Sequence, residues 1–421
     1  LSLKYSLAKG TLADIWNSDF SMLSILVLGC LIQFYLGFAN PAYPEGNKCW
    51  RPIFQVAASE EVMTEGTIGD KSLVNKFATL FPEYRMNCDD AYFLRLVQRG
   101  FPESFSNLSI LMDQPLYPLL IFLVFKPIGL LFDNQSMSVI FASAMAVNLL
   151  LMIFGVLLFY YLLKDLFSPK VAFLSSVLLI FSPLTHVMLV QSTSTGIMEV
   201  FIIIAYIYLL NDYAGRPGQK RLVMYSILAG ILMTGKMIFS LGIFVICLGI
   251  YFKRIRETVL FFVIHLVPLG IWYLFVEWGL GIKFEIHVIT DYNFGIWLFD
   301  LFSSPWSTQL GVLINVLPQY FESIIYGFMM IPVILSCYGL HYVEIKHKYL
   351  IYSLYLVSFL ILFFIMNVIL PRLSFFLFPI IYPTAVIGLK NLPHARFFSP
   401  VIYTAIIIIS NINVYKILEY G

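Results

Sequence analysis

Long apolar runs, broken by short charged turns, dominate the chain and set the expectation of helices that cross a membrane. The first run, residues 21–39, carries no charge, and about 20 apolar residues are enough to span a bilayer. Further runs occupy 136–163, 171–189, 196–211, 222–235, 237–252, 258–276, 323–343, 349–371, 373–389 and 397–415. The pattern predicts an all-α polytopic fold in which residues 1–421 form one transmembrane domain with about eleven spans, roughly 10 to 13. The run at 115–132 is short and interrupted by Lys126 and Pro127. It reads as an interfacial or re-entrant helix, with a span as the alternative.

Two polar stretches stand out. Residues 40–135 form a first outer loop too long and too mixed to be a simple connector. It holds Pro41, Pro44 and Pro52, and patterns such as Leu94-Arg95-Leu96-Val97-Gln98-Arg99 predict short amphipathic helices on the membrane surface. Residues 277–321 form a second outer loop.

With residue 1 inside, the inner turns carry Lys4, Lys9, Lys164, Lys170, Arg216, Lys220, Arg221, Lys253, Arg254, Arg256, Lys346, Lys348, Lys390 and Arg396, 14 of the 26 Lys and Arg. Short basic loops face the cytoplasm, so this orientation is self-consistent. No long internal repeat is visible, which argues against an inverted-repeat transporter.

Composition narrows the picture further. Hydrophobic residues make up 60% and charged ones 12%, values of a membrane protein, and a net charge of +2 gives nucleic acid no footing as a partner. Leu1 to Phe20 lacks the apolar core of a cleavable signal, and the missing Met fits a trimmed start. Cys30, Cys247 and Cys337 fall in apolar runs and read as inert. Cys49 and Cys88 share the first loop; an oxidising compartment would join them and a reducing one would not.

The candidate chemistry lies in the loops and at span ends. Asp89 and Asp90 are adjacent carboxylates beside Tyr92, fit either for general-base work or for capping the helix that starts at Ala91. Lys236 interrupts an apolar hairpin after Gly235, either snorkelling or binding a phosphate. Arg372 lies between two spans and offers a fork of donors to a phosphate. Glu199 sits inside a span, where an acid is costly without a role. His186, nearby, reads as structural, and Glu285 and His287 in the second loop are candidates for acceptor-site or metal contacts. No His/Cys cluster has zinc spacing, and no phosphate-binding loop motif points to a nucleotide.

An ordered set of short elements resembles the glycosyltransferase C superfamily, polytopic enzymes that use polyprenyl-phosphate sugars. The elements are Asp89-Asp90-Ala91-Tyr92, Gln114-Pro115-Leu116-Tyr117-Pro118, Ser182-Pro183 followed by Glu199, Gly230-Ile231-Leu232-Met233-Thr234-Gly235-Lys236, and Pro371-Arg372-Leu373 with Pro379. Leu373 stands where the superfamily usually has Tyr, and Gly235 intervenes between Thr and Lys. The resemblance implies inverting transfer at the outer face, with Asp89 or Asp90 as base and Lys236 and Arg372 on the donor phosphate. Tyr92, Gln114, Tyr117 and Glu199 would contact substrate. The partners implied are a polyprenyl-phosphate sugar donor, membrane lipid, and a glycolipid, polysaccharide or protein acceptor. No cofactor is required, although a divalent cation assists some members. A bacterial inner membrane is the expected location, with the endoplasmic reticulum as the alternative. The competing reading is a transporter or flippase of a lipid-linked or amphipathic solute, which Glu199, Lys236 and the aromatic content also fit.

Overall fold

A computed structural model describes residues 12–39, 51–52, 85–86, 94, 97, 115–132, 137–190, 196–235, 254–283, 301–343, 377–393 and 395–412. Their regular structure is helical except for one antiparallel pairing of two-residue strands, β1 (Arg51–Pro52) with β2 (Arg85–Met86). Helix prevails because a chain in hydrocarbon must satisfy its own backbone N–H and C=O groups. Among the described residues, four stretches are long and apolar enough to cross a membrane: Asp19–Gly37, Val139–Leu166, Gly196–Tyr213 and Ile255–Gly279. A bent pair, Trp306–Ile325 with Met330–Leu340, makes a fifth if taken as one span. The chain is a membrane protein. The expected count of about eleven is not reached among the described residues, and the expected spans at 237–252 and 349–371 lie outside them.

The first helices in chain order are α1 (Leu12–Ala39), α2 (Leu116–Phe132), α3 (Met137–Leu166), α4 (Pro169–Ile180), α5 (Pro183–Val190), α6 (Gly196–Gly215) and α7 (Gln219–Met233). Then come α8 (Ile255–His265), α9 (Val267–Leu274), a π-helical turn (Phe275–Gly279), α10 (Trp306–Phe328), α11 (Met330–Leu340), α12 (Phe378–Lys390) and α13 (Ala395–Ile412). Helix α3 lies at the centre, with α1, α2, α4 and α6 packed on it. Its Phe159 and Tyr160 are fully buried, while Leu150 and Phe154 face outward, as lipid-facing positions do.

Lipid tails are as apolar as leucine, so helix association depends on close packing and on hydrogen bonds between helices. Helices α11 and α12 show this most directly. Gly339 and Gly388 face each other so closely that a Cβ on either would overlap the partner's backbone. The Ser336 and Thr384 hydroxyls meet at 2.6 Å, and the Tyr338 hydroxyl donates to the Asn391 carbonyl at 3.2 Å. Contacts that advance together along both helices make the pair parallel.

One end of the bundle is tied by charge. Lys164 pairs with Asp19, whose other carboxylate oxygen accepts from the Tyr160 hydroxyl at 3.0 Å, joining α3 to α1. Arg216 pairs with Asp212, and the Tyr213 hydroxyl donates to Glu257 at 2.7 Å, joining α6 to α8. Exposed Arg216 is held above its ordinary basicity by its hydrogen bond to Asp212. Lys220, Arg221 and Arg256 gather at this same end, where α6 hands over to α7 and α8 begins.

Several elements depart from the hydropathy pattern. The run at 171–189 breaks at Ser182, whose Oγ accepts the Thr185 N–H at 3.1 Å and caps α5, with Pro183 in its first turn. The run at 258–276 breaks into α8, α9 and the π-helical turn, because Pro268 cannot continue the ladder of α8. Helix α10 begins at Trp306, inside the stretch that polarity assigns to the second loop. Its exposed Trp306, Leu310, Ile314, Leu317 and Phe321 recur at helical spacing, and the neighbouring Ser307, Thr308, Gln309, Asn315 and Gln319 lower the average hydropathy that would reveal the stripe. The expected span at 323–343 turns by 100° between α10 and α11, at Met329, whose φ of 64° takes it out of helix.

Candidate active site

The end of the bundle opposite the charge ties brings together three of the sequence elements singled out above. The N-terminus of α2 lies against the C-terminus of α7: the Leu116 backbone N–H donates to the Thr234 carbonyl at 3.2 Å. Thr234 closes α7, its N–H and side chain both turned back onto the Ile231 carbonyl. The next residue, Gly235, meets the first turn of α6. A Cβ there would come within 2.5 Å of Met198 Cε and 3.2 Å of Ile202 Cδ1. Glu199 follows Met198 in that turn and is buried, at the helix end whose dipole favours a carboxylate.

Tyr117 is fully buried one residue beyond Leu116, and its hydroxyl donates to Asn148 Oδ1 of α3 at 2.7 Å. This bond fixes the entry of α2 against the central helix. A second polar group lies on α5. Buried Gln33 of α1 donates to His186 Nδ1 at 3.0 Å, so His186 holds α5 to α1. The ring of buried Tyr382 on α12 packs edge-on to Phe328 of α10, with centroids 5.5 Å apart. Helices α2, α6 and α7 thus meet at one junction, and α1 and α5 at another.

Of the residues expected to act, Tyr117 and Glu199 are in this region. Asp89, Asp90, Tyr92, Gln114, Lys236, Glu285, His287 and Arg372 lie outside the described residues, as do Cys49 and Cys88. Their nearest described neighbours in the chain are informative. Leu94, four residues after Asp90, and Val97 are helical and buried in the main apolar core, where the sequence pattern expects a helix on the membrane surface. Pro115 and Gly235 directly adjoin Gln114 and Lys236. Sequence reasoning passed over Gln33, Asn148 and Tyr382. A lone amide in an apolar run was the available signal for the first two, since such a group in hydrocarbon needs a partner.

No family model and no curated protein matches the chain. Among solved structures, the fold is similar to that of the Archaeoglobus fulgidus oligosaccharyltransferase tethered to an acceptor peptide. Identity is 12% and the TM-score 0.54, over 96% of this chain and 56% of that one. The apo form of the same enzyme aligns at 13% identity and a TM-score of 0.49, over 96% and 57%. The chain therefore spans a little over half the length of these proteins, and the likeness is one of fold.

Proposed function

We propose that the chain is a membrane glycosyltransferase that moves a sugar from a polyprenyl-phosphate donor to an acceptor hydroxyl at the outer end of the bundle. The observation that carries this reading is the Leu116–Thr234 hydrogen bond together with the Gly235–Met198 contact. They join elements that resemble glycosyltransferase C motifs but stand far apart in the chain. The likeness of fold to an oligosaccharyltransferase supports the same class of chemistry.

In this mechanism Asp89 or Asp90 takes the proton of the acceptor hydroxyl as it attacks the anomeric carbon. The bond from that carbon to the donor phosphate breaks on the opposite face, so configuration inverts. Lys236 and Arg372 stabilise the charge on the departing polyprenyl phosphate. Tyr92, Gln114, Glu199, Glu285 and His287 line the path of donor and acceptor, and fully buried Tyr117 acts through the position of α2. Lys236 follows Gly235 directly, so the donor grip would border the junction of α2, α6 and α7.

The test is transfer from a lipid-linked sugar in proteoliposomes by Asp89→Asn and Asp90→Asn, made singly. Loss of transfer by at least one variant, with unchanged yield and monodispersity, supports the reading. Full activity in both ends it. Counterflow of labelled lipid-linked sugar with no product would replace it with a flippase.

A further inference from the structure

The short pairing of β1 with β2 has a register that bears on the two cysteines of the first loop. Arg51 stands opposite Met86 and Pro52 opposite Arg85 in an antiparallel ladder. In such a ladder each step back on one strand is matched by a step forward on the other. Two steps back from Arg51 is Cys49, and two steps forward from Met86 is Cys88. Continued two residues beyond the described strands, this register would set Cys49 opposite Cys88. Residues directly opposite in an antiparallel pair have Cα atoms about 4.5 to 5.5 Å apart, inside the range of about 4.4 to 6.8 Å that a disulfide bridges. Cys30 and Cys337, the described cysteines, are both free, and Cys30 is buried in α1.

We propose that Cys49 and Cys88 form a disulfide that closes the base of the first loop and fixes the chain just before Asp89. The bond forms by thiol–disulfide exchange with an oxidised dithiol carrier protein. The thiolate of one cysteine attacks the carrier disulfide and gives a mixed disulfide. The thiolate of the other attacks the loop sulfur, and the carrier leaves as its dithiol, having accepted two electrons. Cys88 directly precedes Asp89, so the crosslink restrains the carboxylate pair from one side while buried Leu94 anchors it from the other. This positioning role rests on the proposed transferase reading; the bond itself does not.

The experiment separates the two. Membranes are quenched with an alkylating reagent and digested without reductant, and the peptides are analysed by mass spectrometry. The expected species joins the peptides of Cys49 and Cys88 and weighs two hydrogens less than their sum. Both cysteines alkylated would overturn the bond in the cell. Purified full-length protein treated with a disulfide oxidant provides the register test: rapid intramolecular 49–88 linkage is expected, and linkage of either cysteine to Cys337 instead would overturn the register. For the positioning role, Cys49→Ser and Cys88→Ser should each lower transfer several-fold, and reductant should lower wild-type transfer equally with no effect on either variant. A linked peptide with transfer unaffected by reduction would leave a bond without that role.

Discussion

The Leu116 N–H and the Thr234 carbonyl, 3.2 Å apart, tie the start of α2 to the end of α7 at a point where Gly235 also touches α6. Backbone groups at helix termini lack partners within their own helices, and in lipid such groups are costly unless another segment supplies one. Here two termini satisfy each other, which makes the junction specific in position.

The Gly235 contact predicts coupling to Met198. Gly235→Ala forces the flexible end of Met198 to move, at a cost of about 1 kcal/mol. With Met198→Ala already in place, the same change should cost less, giving an interaction energy of about 0.5 kcal/mol or more in a double-mutant cycle on thermal unfolding. Additive effects would mean the two residues do not touch.

Gly339 and Gly388 lie backbone against backbone, so relief through a side chain is closed to them. Alanine at either is expected to destabilise by about 2–3 kcal/mol, toward the upper end for overpacking. Gly218→Ala, which meets nothing within 4 Å, serves as the control and should stay within about 0.5 kcal/mol. Detergent-solubilised thermal melts distinguish the two cases.

Tyr117→Phe removes a hydroxyl donor from fully buried Asn148. The expected loss is about 1 kcal/mol, the net worth of a buried hydrogen bond. Tyr117→Phe combined with Asn148→Leu should recover part of it. Equal instability of the single and double variants in thermal unfolding would show that the bond is not the reason for the loss.

Met329 holds φ at 64°, a value that L side chains rarely adopt. Met329→Gly should raise stability by about 1 kcal/mol, and Met329→Val should lower it, since a β-branched residue suits that region least. Chemical denaturation of both variants checks the sign. A loss in the glycine variant would mean that the Met329 side chain matters more than its backbone.

Much of the helix content was legible in the sequence, because the requirement that produces it is local. A charge-free run such as 21–39 satisfies its own backbone as a helix wherever it lies. Broken runs were less legible. Ser182-Pro183 reads equally as the end of one helix or the start of another, and the capping bond to Thr185 decides for the start. The α10 stripe was lost in an average over polar residues.

The candidate site divides in the same way. Residue types and their order along the chain placed Tyr117, Glu199 and the Thr234-Gly235 stretch under suspicion, since a polar group in an apolar run needs a reason to be there. Tertiary structure alone decided that α2 and α7 share a hydrogen bond, that Met198 closes on Gly235, and that Gln33 finds His186. Hydropathy records which face of a helix avoids water; it carries no information on which neighbour that face meets, and that choice is made by close packing between distant segments.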